Sequence, residues 1–162
     1  MLLHLITLWF LYFPTEINAE RSIPVYDFEA FEPILHRQSD TLYVVNFWAT
    51  WCKPCVKELG AFDALERRFP GEKIKVILVS LDFEENIEKQ VKPFLARKNI
   101  QSEVVVLDDP NSTAWIEKVD PSWSGTIPAT VIYSKKGRNF YEKEFVGEEI
   151  YTLVKTHLTK LK

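Results

Sequence analysis

The sequence holds only two cysteines in 162 residues. Cys52 and Cys55 stand two residues apart, so a bond between them closes a tiny ring and cannot staple the fold across long loops. A pair at this spacing points to chemistry rather than architecture. Positive charge is not in excess either: 20 Lys and Arg face 23 Asp and Glu, giving a net charge of -3 and a pI near 5.7. A binder that works by neutralising phosphates carries the opposite bias, so a nucleic-acid partner is not expected. There is no tail of one charge, no internal repeat and no low-complexity linker. The 46% hydrophobic and 27% charged content is that of an ordinary globular chain, which excludes disorder, collagen and coiled coil as the main state. At 19.0 kDa there is room for one domain and a short extension.

The first 13 residues, MLLHLITLWFLYF, are apolar except for His4 and Thr7, and Pro14 follows. This is the length of a secretory apolar region, and Ile17, Asn18 and Ala19 offer a cleavage site. The run is shorter than the ~20 apolar residues of a membrane span. No Lys or Arg precedes it, and Ile17 is larger than the small residue preferred there. The expectation is an export signal, cleaved or kept as an anchor, over residues 1–19 and a single domain over 20–162; a buried N-terminal strand is the alternative. With no cysteine nearby, a lipid anchor through an N-terminal cysteine is not expected.

From Val25 onward the pattern alternates between helix and strand. Asp27 caps a short helix presenting Phe28, Phe31 and Leu35. Residues 41–48, TLYVVNFW, are nearly all β-branched or aromatic, which predicts a central strand covered on both faces. A helix is expected over 52–69, ended by Pro70 and Gly71, then a buried strand over 75–80. The charged helix expected over 84–98 contains Pro93, which should bend or divide it. A strand over 104–107, a short helix over 113–119 and a strand over 129–133 follow. Lys135, Lys136 and Gly137 turn the chain into a strand over 140–146. A last helix from Glu148 carries Ile150, Val154, Leu158 and Leu161 on one stripe. The fold class is α/β, a mixed sheet with helices on both faces.

The chemistry gathers where the first long strand meets the helix, at Trp48, Ala49, Thr50, Trp51, Cys52, Lys53, Pro54 and Cys55. The free N–H groups and positive dipole end of a helix favour a thiolate, the species that attacks a disulfide. Cys52, nearest those groups and the solvent, is the expected nucleophile. Cys55, three residues on, is the expected resolving thiol. Pro54 suits a first turn, and Lys53 adds a favourable positive charge. Half a zinc site is the competing reading, but zinc takes four ligands and His4, His36 and His157 have no metal-ligand spacing to the cysteines.

At about 100° per residue from Cys55, the apolar stripe of Leu59, Phe62, Leu65 and Phe69 falls at about 40°, 340°, 280° and 320°, and Glu58 falls inside it at about 300°. Burial there raises a carboxyl pKa, and an acid so placed can take a proton from Cys55 and return it. Glu66, two turns farther on, reads as structural. Further along, Gly125, Thr126, Ile127, Pro128, Ala129 and Thr130 lead straight into a strand. A cis Ile127–Pro128 bond would leave the Ile127 backbone open to hold an extended substrate segment. Trp51 reads as an apolar rim for a partner, Trp48 as either rim or core, and Trp115 as core. Trp123 is a candidate to line the approach to Pro128. Phe31, Phe62 and Phe94 read as core.

The stretches VVNFWATWCKPCVKELG (44–60) and TIPATVIY (126–133) resemble the thioredoxin superfamily, and within it the exported TlpA and ResA-like thiol-disulfide oxidoreductases, some of which serve cytochrome c maturation. The resemblance runs over residues 23–162 and implies a thioredoxin-like fold with an extra helix and strand between Leu81 and Ser124. It implies attack by Cys52, resolution by Cys55, an acid at Glu58 and a cis-proline at Pro128, with Trp51, Lys53, Pro54 and Ile127 meeting the substrate. Asn46 stands where cytosolic thioredoxins usually keep a buried aspartate, which leaves the proton to Glu58. Two departures are the Lys53-Pro54 pair between the cysteines and Gly60, where many relatives carry a proline that bends the helix. The insertion is shared with the peroxiredoxins, but their lone peroxidatic cysteine is not matched here. The resemblance implies a periplasmic or otherwise extracytoplasmic protein-disulfide reductase, needing no cofactor or metal. Monomeric, it would be recharged by a membrane thiol-disulfide donor and act on exported proteins. A net oxidant or isomerase shares every residue named, and a copper-binding module on the same scaffold is the non-catalytic alternative.

Overall fold

A computed structural model describes residues 22–161, so the expected export segment lies outside the described residues. The sheet has six strands, β1 (Val25–Tyr26), β2 (Leu42–Trp48), β3 (Ile74–Ser80), β4 (Glu103–Leu107), β5 (Ala129–Ser134) and β6 (Gly137–Tyr141), in the order β1-β4-β3-β2-β5-β6. The pairs β1–β4, β4–β3 and β3–β2 are parallel, and β2–β5 and β5–β6 are antiparallel. This is the expected mixed sheet.

All seven residues of β2 are buried, because helices cover both faces. The period of two along a strand sorts the core cleanly. Leu42, Val44 and Trp48, with Val76, Leu78, Val104 and Ile132, pack under α2 (Lys53–Asp63), α4 (Lys92–Lys98) and α6 (Glu149–Leu161). Tyr43, Val45 and Phe47, with Ile77, Val79 and Val131, pack on Phe28 and Phe31 of α1 (Phe28–Phe31) and on Trp115 and Val119 of α5 (Ser112–Val119). The stripe of α6 buries Ile150, Val154 and Leu158 as expected, with Leu161 half-buried at its end. Asp27 caps α1 by accepting the Ala30 N–H at 2.9 Å.

Three local expectations change. Cys52 is not in the first helical turn; it is the N-cap of α2, with extended backbone, and the helix begins at Lys53. The expected 52–69 helix is interrupted at Ala64 before α3 (Leu65–Arg68), although Ala64 still bonds back to Gly60 at 3.1 Å and Arg68 to Ala64 at 2.8 Å. Gly60 lies within α2, which continues through it. The 84–98 segment is divided at its proline, as one of the two expected outcomes: a 3₁₀ turn (Glu84–Asn86) and a π turn (Ile87–Val91) precede α4, which begins so that Pro93 falls in its first turn, where no N–H is needed. Finally, the strand expected over 140–146 starts at Gly137 and ends at Tyr141. Residues 142–146 leave the sheet because their polar groups are used elsewhere, as described below. The short edge strand β1 is an addition to the expected elements; two residues are too few to carry a periodic signal. Among the described residues no helix is long and apolar enough to cross a membrane.

Candidate active site

β2 ends at Trp48, and Ala49, Thr50 and Trp51 carry the chain to the N-terminus of α2. This loop is held from below by Asp82, a buried carboxylate just past the end of β3. It accepts the Thr50 N–H at 2.9 Å, the Thr50 hydroxyl at 2.6 Å and the Ser80 hydroxyl at 2.7 Å. Cys52 and Cys55 are joined in a disulfide. The Cys55 N–H points at Cys52 Sγ from 3.3 Å, so a thiolate at Cys52 would meet a helix N-terminal donor as well as the dipole. Cys52 keeps 6% of its surface and Cys55 none, which places the expected nucleophile on the outside and its partner inside.

The Ile127–Pro128 bond is cis, and the Ile127 carbonyl oxygen lies 3.7 Å from Cys52 Sγ. The loop before it rests on two further residues. Trp123 is buried against Phe47, Trp115 and Phe140, and its indole N–H donates to the Thr126 carbonyl at 2.8 Å. It therefore supports the approach to Pro128 from beneath and does not line it. Glu142 accepts the Ser124 N–H at 3.0 Å and the Thr126 N–H at 3.1 Å, and also the Ser124 hydroxyl. That service takes Glu142 out of β6.

Glu58 sits one turn beyond Cys55 on the buried side of α2, with 3% of its surface exposed. Burial pushes its carboxyl up to about 7, even though the Phe145 N–H and the Asn46 amide both favour the charged form. Phe145 donates to Oε2 at 2.6 Å and Asn46 Nδ2 to Oε1 at 3.1 Å. Asn46 Nδ2 also donates to Thr130 Oγ1 at 3.1 Å, across the β2–β5 register that sets these two residues opposite each other. Asn46 Oδ1 is buried without a hydrogen-bond partner, as is the indole N–H of Trp48. Residues 142–146 thus leave the sheet at both ends of the site, Glu142 to hold the cis-proline loop and Phe145 to hold Glu58.

Of the other expected site residues, Trp51 is 66% exposed beside Cys52. Lys53 is exposed and Pro54 half-buried in the first turn of α2. Trp48 resolves as core, fully buried with its ring 5.3 Å from that of Phe94. Trp115 is core, stacked on Phe28, and Phe31, Phe62 and Phe94 are buried as expected. Glu66 is structural, accepting the Val76 N–H at 2.8 Å. Sequence reasoning does not single out Asp82, Glu142, Thr130 or the Phe145 N–H. Only Asp82, a carboxylate right after a buried strand, carries a local signal.

The arrangement resembles known proteins over much of its length. The chain is 29% identical over 104 residues to sporulation thiol-disulfide oxidoreductase A of Bacillus subtilis, covering 64% of this chain and 58% of that protein. It is 27% identical over 118 residues to thiol-disulfide oxidoreductase ResA of Bacillus cereus, covering 72% and 61%. Thioredoxin-like protein YneN of Bacillus subtilis is 43% identical over a shorter stretch of 51 residues, 32% of this chain and 29% of that protein. The chain therefore spans less than two thirds of the length of these relatives. Among solved structures, a thioredoxin-related protein from Neisseria meningitidis serogroup B superposes with a TM-score of 0.62 at 24% identity, over 77% of this chain and 90% of that one. StoA from Bacillus subtilis superposes with a TM-score of 0.54 at 22% identity, over 74% and 86%. These likenesses establish the thioredoxin fold. The sequence profile of the AhpC/TSA family matches residues 28–138, a stretch that contains the cysteine pair, the cis-proline loop and the insertion between them; the chain belongs to the AhpC/TSA family.

Proposed function

We propose that this protein is a thiol-disulfide oxidoreductase that reduces disulfides in exported proteins. The observation that carries the reading is the pairing of an outer cysteine at a helix N-terminus with an inner cysteine one turn from a buried carboxyl of raised pKa. The relatives named thiol-disulfide oxidoreductases support it. In the reduced protein the Cys52 thiolate attacks one sulfur of the substrate disulfide, forming a mixed disulfide and releasing the other sulfur as a thiolate that takes up a proton. Cys55 then gives its proton to the Glu58 carboxylate and attacks Cys52 Sγ. The Cys52–Cys55 disulfide forms, and the second substrate thiolate leaves and is protonated, with Glu58 as the nearby acid. Two electrons and two protons pass to the substrate, and an external dithiol must restore the pair.

The Ile127 backbone, Pro128 and the exposed face of Trp51, with Lys53 and Pro54 beside it, form the surface offered to the substrate. We assign the protein to an extracytoplasmic compartment, with the apolar N-terminal segment as its export signal or tether and a membrane thiol-disulfide carrier as its electron donor. Apo-cytochromes c are the narrowest substrate class consistent with the family resemblance. The test is trapping by the reduced protein with insulin and with disulfide-bearing exported proteins as substrates: C55A should accumulate a mixed disulfide, whereas C52A should neither trap nor turn over. Trapping by C52A in place of C55A would overturn the assignment of roles, and absence of disulfide reduction by the unmodified protein would overturn the function.

A further inference from the structure

Beside the exposed ring of Trp51 lies a groove of about 320 Å³ lined by Thr50, Trp51, Lys89, Gln90, Phe94 and Arg97. Its walls come from the loop before Cys52 and from the π turn and α4 of the inserted segment. Phe94 is buried and forms an apolar floor, whereas Lys89 and Arg97 are exposed. Among the described residues no acid lines the groove. The neighbouring carboxylates are engaged elsewhere: Asp82 is buried under Thr50, and Glu88 is paired with Lys92 at 2.6 Å. Glu84, Glu85 and Asp108 line a different depression, with Phe83. Among the described residues neither Lys89 nor Arg97 belongs to an ion pair. A chain with a net charge of -3 thus presents two cations outside any ion pair on a groove walled by Trp51, the residue before its outer cysteine.

We infer that this groove receives an acidic segment of the substrate, a stretch carrying Glu or Asp within a few residues of the cysteine that Cys52 attacks. The inference rests on the proposed thiol exchange and adds the class of substrate to it. Charge at the rim of an interface acts mainly on encounter and on the choice of partner, and the attraction is screened over about 8 Å at physiological ionic strength. The apolar floor and the Trp51 face accept the aliphatic stem of the acidic side chain, while the two cations meet its carboxylate. Substrates with Lys or Arg at the same position are repelled, so the groove selects as well as attracts.

The test uses the reduced full-length protein and hexapeptides with one cysteine capped as a mixed disulfide with mercaptoethanol, flanked by Glu, Gln or Lys. At low salt kcat/KM should fall in the order Glu, Gln, Lys, with about tenfold between the extremes. The spread should shrink in about 0.5 M salt. K89Q/R97Q should flatten the order, and K89E/R97E should reverse it. An unchanged order in K89E/R97E, or no order in the parent, overturns the inference. A second readout is independent of exchange: the Glu peptide with Ser in place of Cys, titrated onto the oxidised protein, should shift the Trp51 indole N–H resonance in the parent and not in K89E/R97E, and no shift in the parent overturns the groove. Hydroxyethyl disulfide, which carries no charge, separates the two readings. If the parent cannot reduce it the exchange function fails, and the groove stands or falls on the titration.

Discussion

Cys52 and Cys55 share one disulfide and live in different surroundings. Around Cys52 the chain is the more open: a helix N-terminal N–H and the Ile127 carbonyl meet its sulfur, the residue keeps 6% of its surface, and the Trp51 ring before it is 66% exposed. Around Cys55 it is closed, with the residue fully buried and, one helical turn on, a carboxyl whose hydrogen bonds come from inside the protein. The lesson is one of division. Attack needs access and a stabilised anion, both readily supplied at a helix terminus, whereas resolution needs a proton acceptor that works at neutral pH, which burial supplies by raising the pKa of a glutamate. Each half is held by a residue from distant sequence, Asp82 under the open side and Phe145 at the closed side.

The largest expected effect follows from removing the acceptor in the closed half. E58Q should slow resolution of the mixed disulfide by about 10²-fold, within the range for a lost general base, while attack by Cys52 stays close to the parent rate. Stopped-flow traces that separate the two phases would show it, and the parent's rise in resolving rate around pH 7 should be missing in E58Q. Equal slowing of both phases would mean that Glu58 acts on the fold rather than on Cys55. The Gln side chain matches Glu58 in size, and a turn of the Asn46 amide presents its unpartnered Oδ1 to the new amide in exchange for the bond from Nδ2 to Thr130.

Next in size is the open half's foundation. D82A leaves the Thr50 N–H and the two hydroxyls it held without their acceptor, which should cost about 2–3 kcal/mol of stability, measured by denaturant unfolding. It should slow attack more than resolution, because the loop it releases carries Trp51 and Cys52. A loss of stability with both rates preserved would separate Asp82 from the site.

The pH dependence of stability sharpens the closed half. A carboxyl whose pKa is raised in the folded state, here from 4.5 to about 7, favours folding fully below pH 4.5, and that contribution is lost as pH rises through about 7. The loss amounts to about 3 kcal/mol at most. The oxidised parent should therefore weaken relative to E58Q between pH 5 and 8, and parallel stability curves would contradict the buried, raised carboxyl. The smallest expected effect belongs to the rim. W51A should lower kcat/KM for a protein substrate by about three- to tenfold, as expected for loss of one aromatic contact, with KM carrying most of the change.

Much of this division is legible in the amino-acid sequence. The seven-residue buried strand announces itself by its near lack of polar residues, the cysteine pair by its spacing, and Glu58 by falling within the apolar stripe of its own helix. The support is not legible. Phe145 reaches Glu58 across 87 residues and Thr130 reaches Asn46 across 84, and no local periodicity encodes a contact of that range. The sequence leads to the expectation of a strand over 140–146. Tertiary demand overrides it, drawing Glu142 to the cis-proline loop and the Phe145 N–H to Glu58. The π turn before α4 is similarly beyond reach, since a proline tells that a helix must change there without telling how.

In the proposed exchange the two thiols of the reduced protein are unequal, one open and activated and the other closed. Timed alkylation of the reduced protein with iodoacetamide at pH 7, read by peptide mass spectrometry, measures this directly. Cys52 should be modified about 10²-fold faster than Cys55, as a stabilised and accessible thiolate requires, and Cys55 should react only after unfolding. Equal rates, or faster modification of Cys55, would contradict the account.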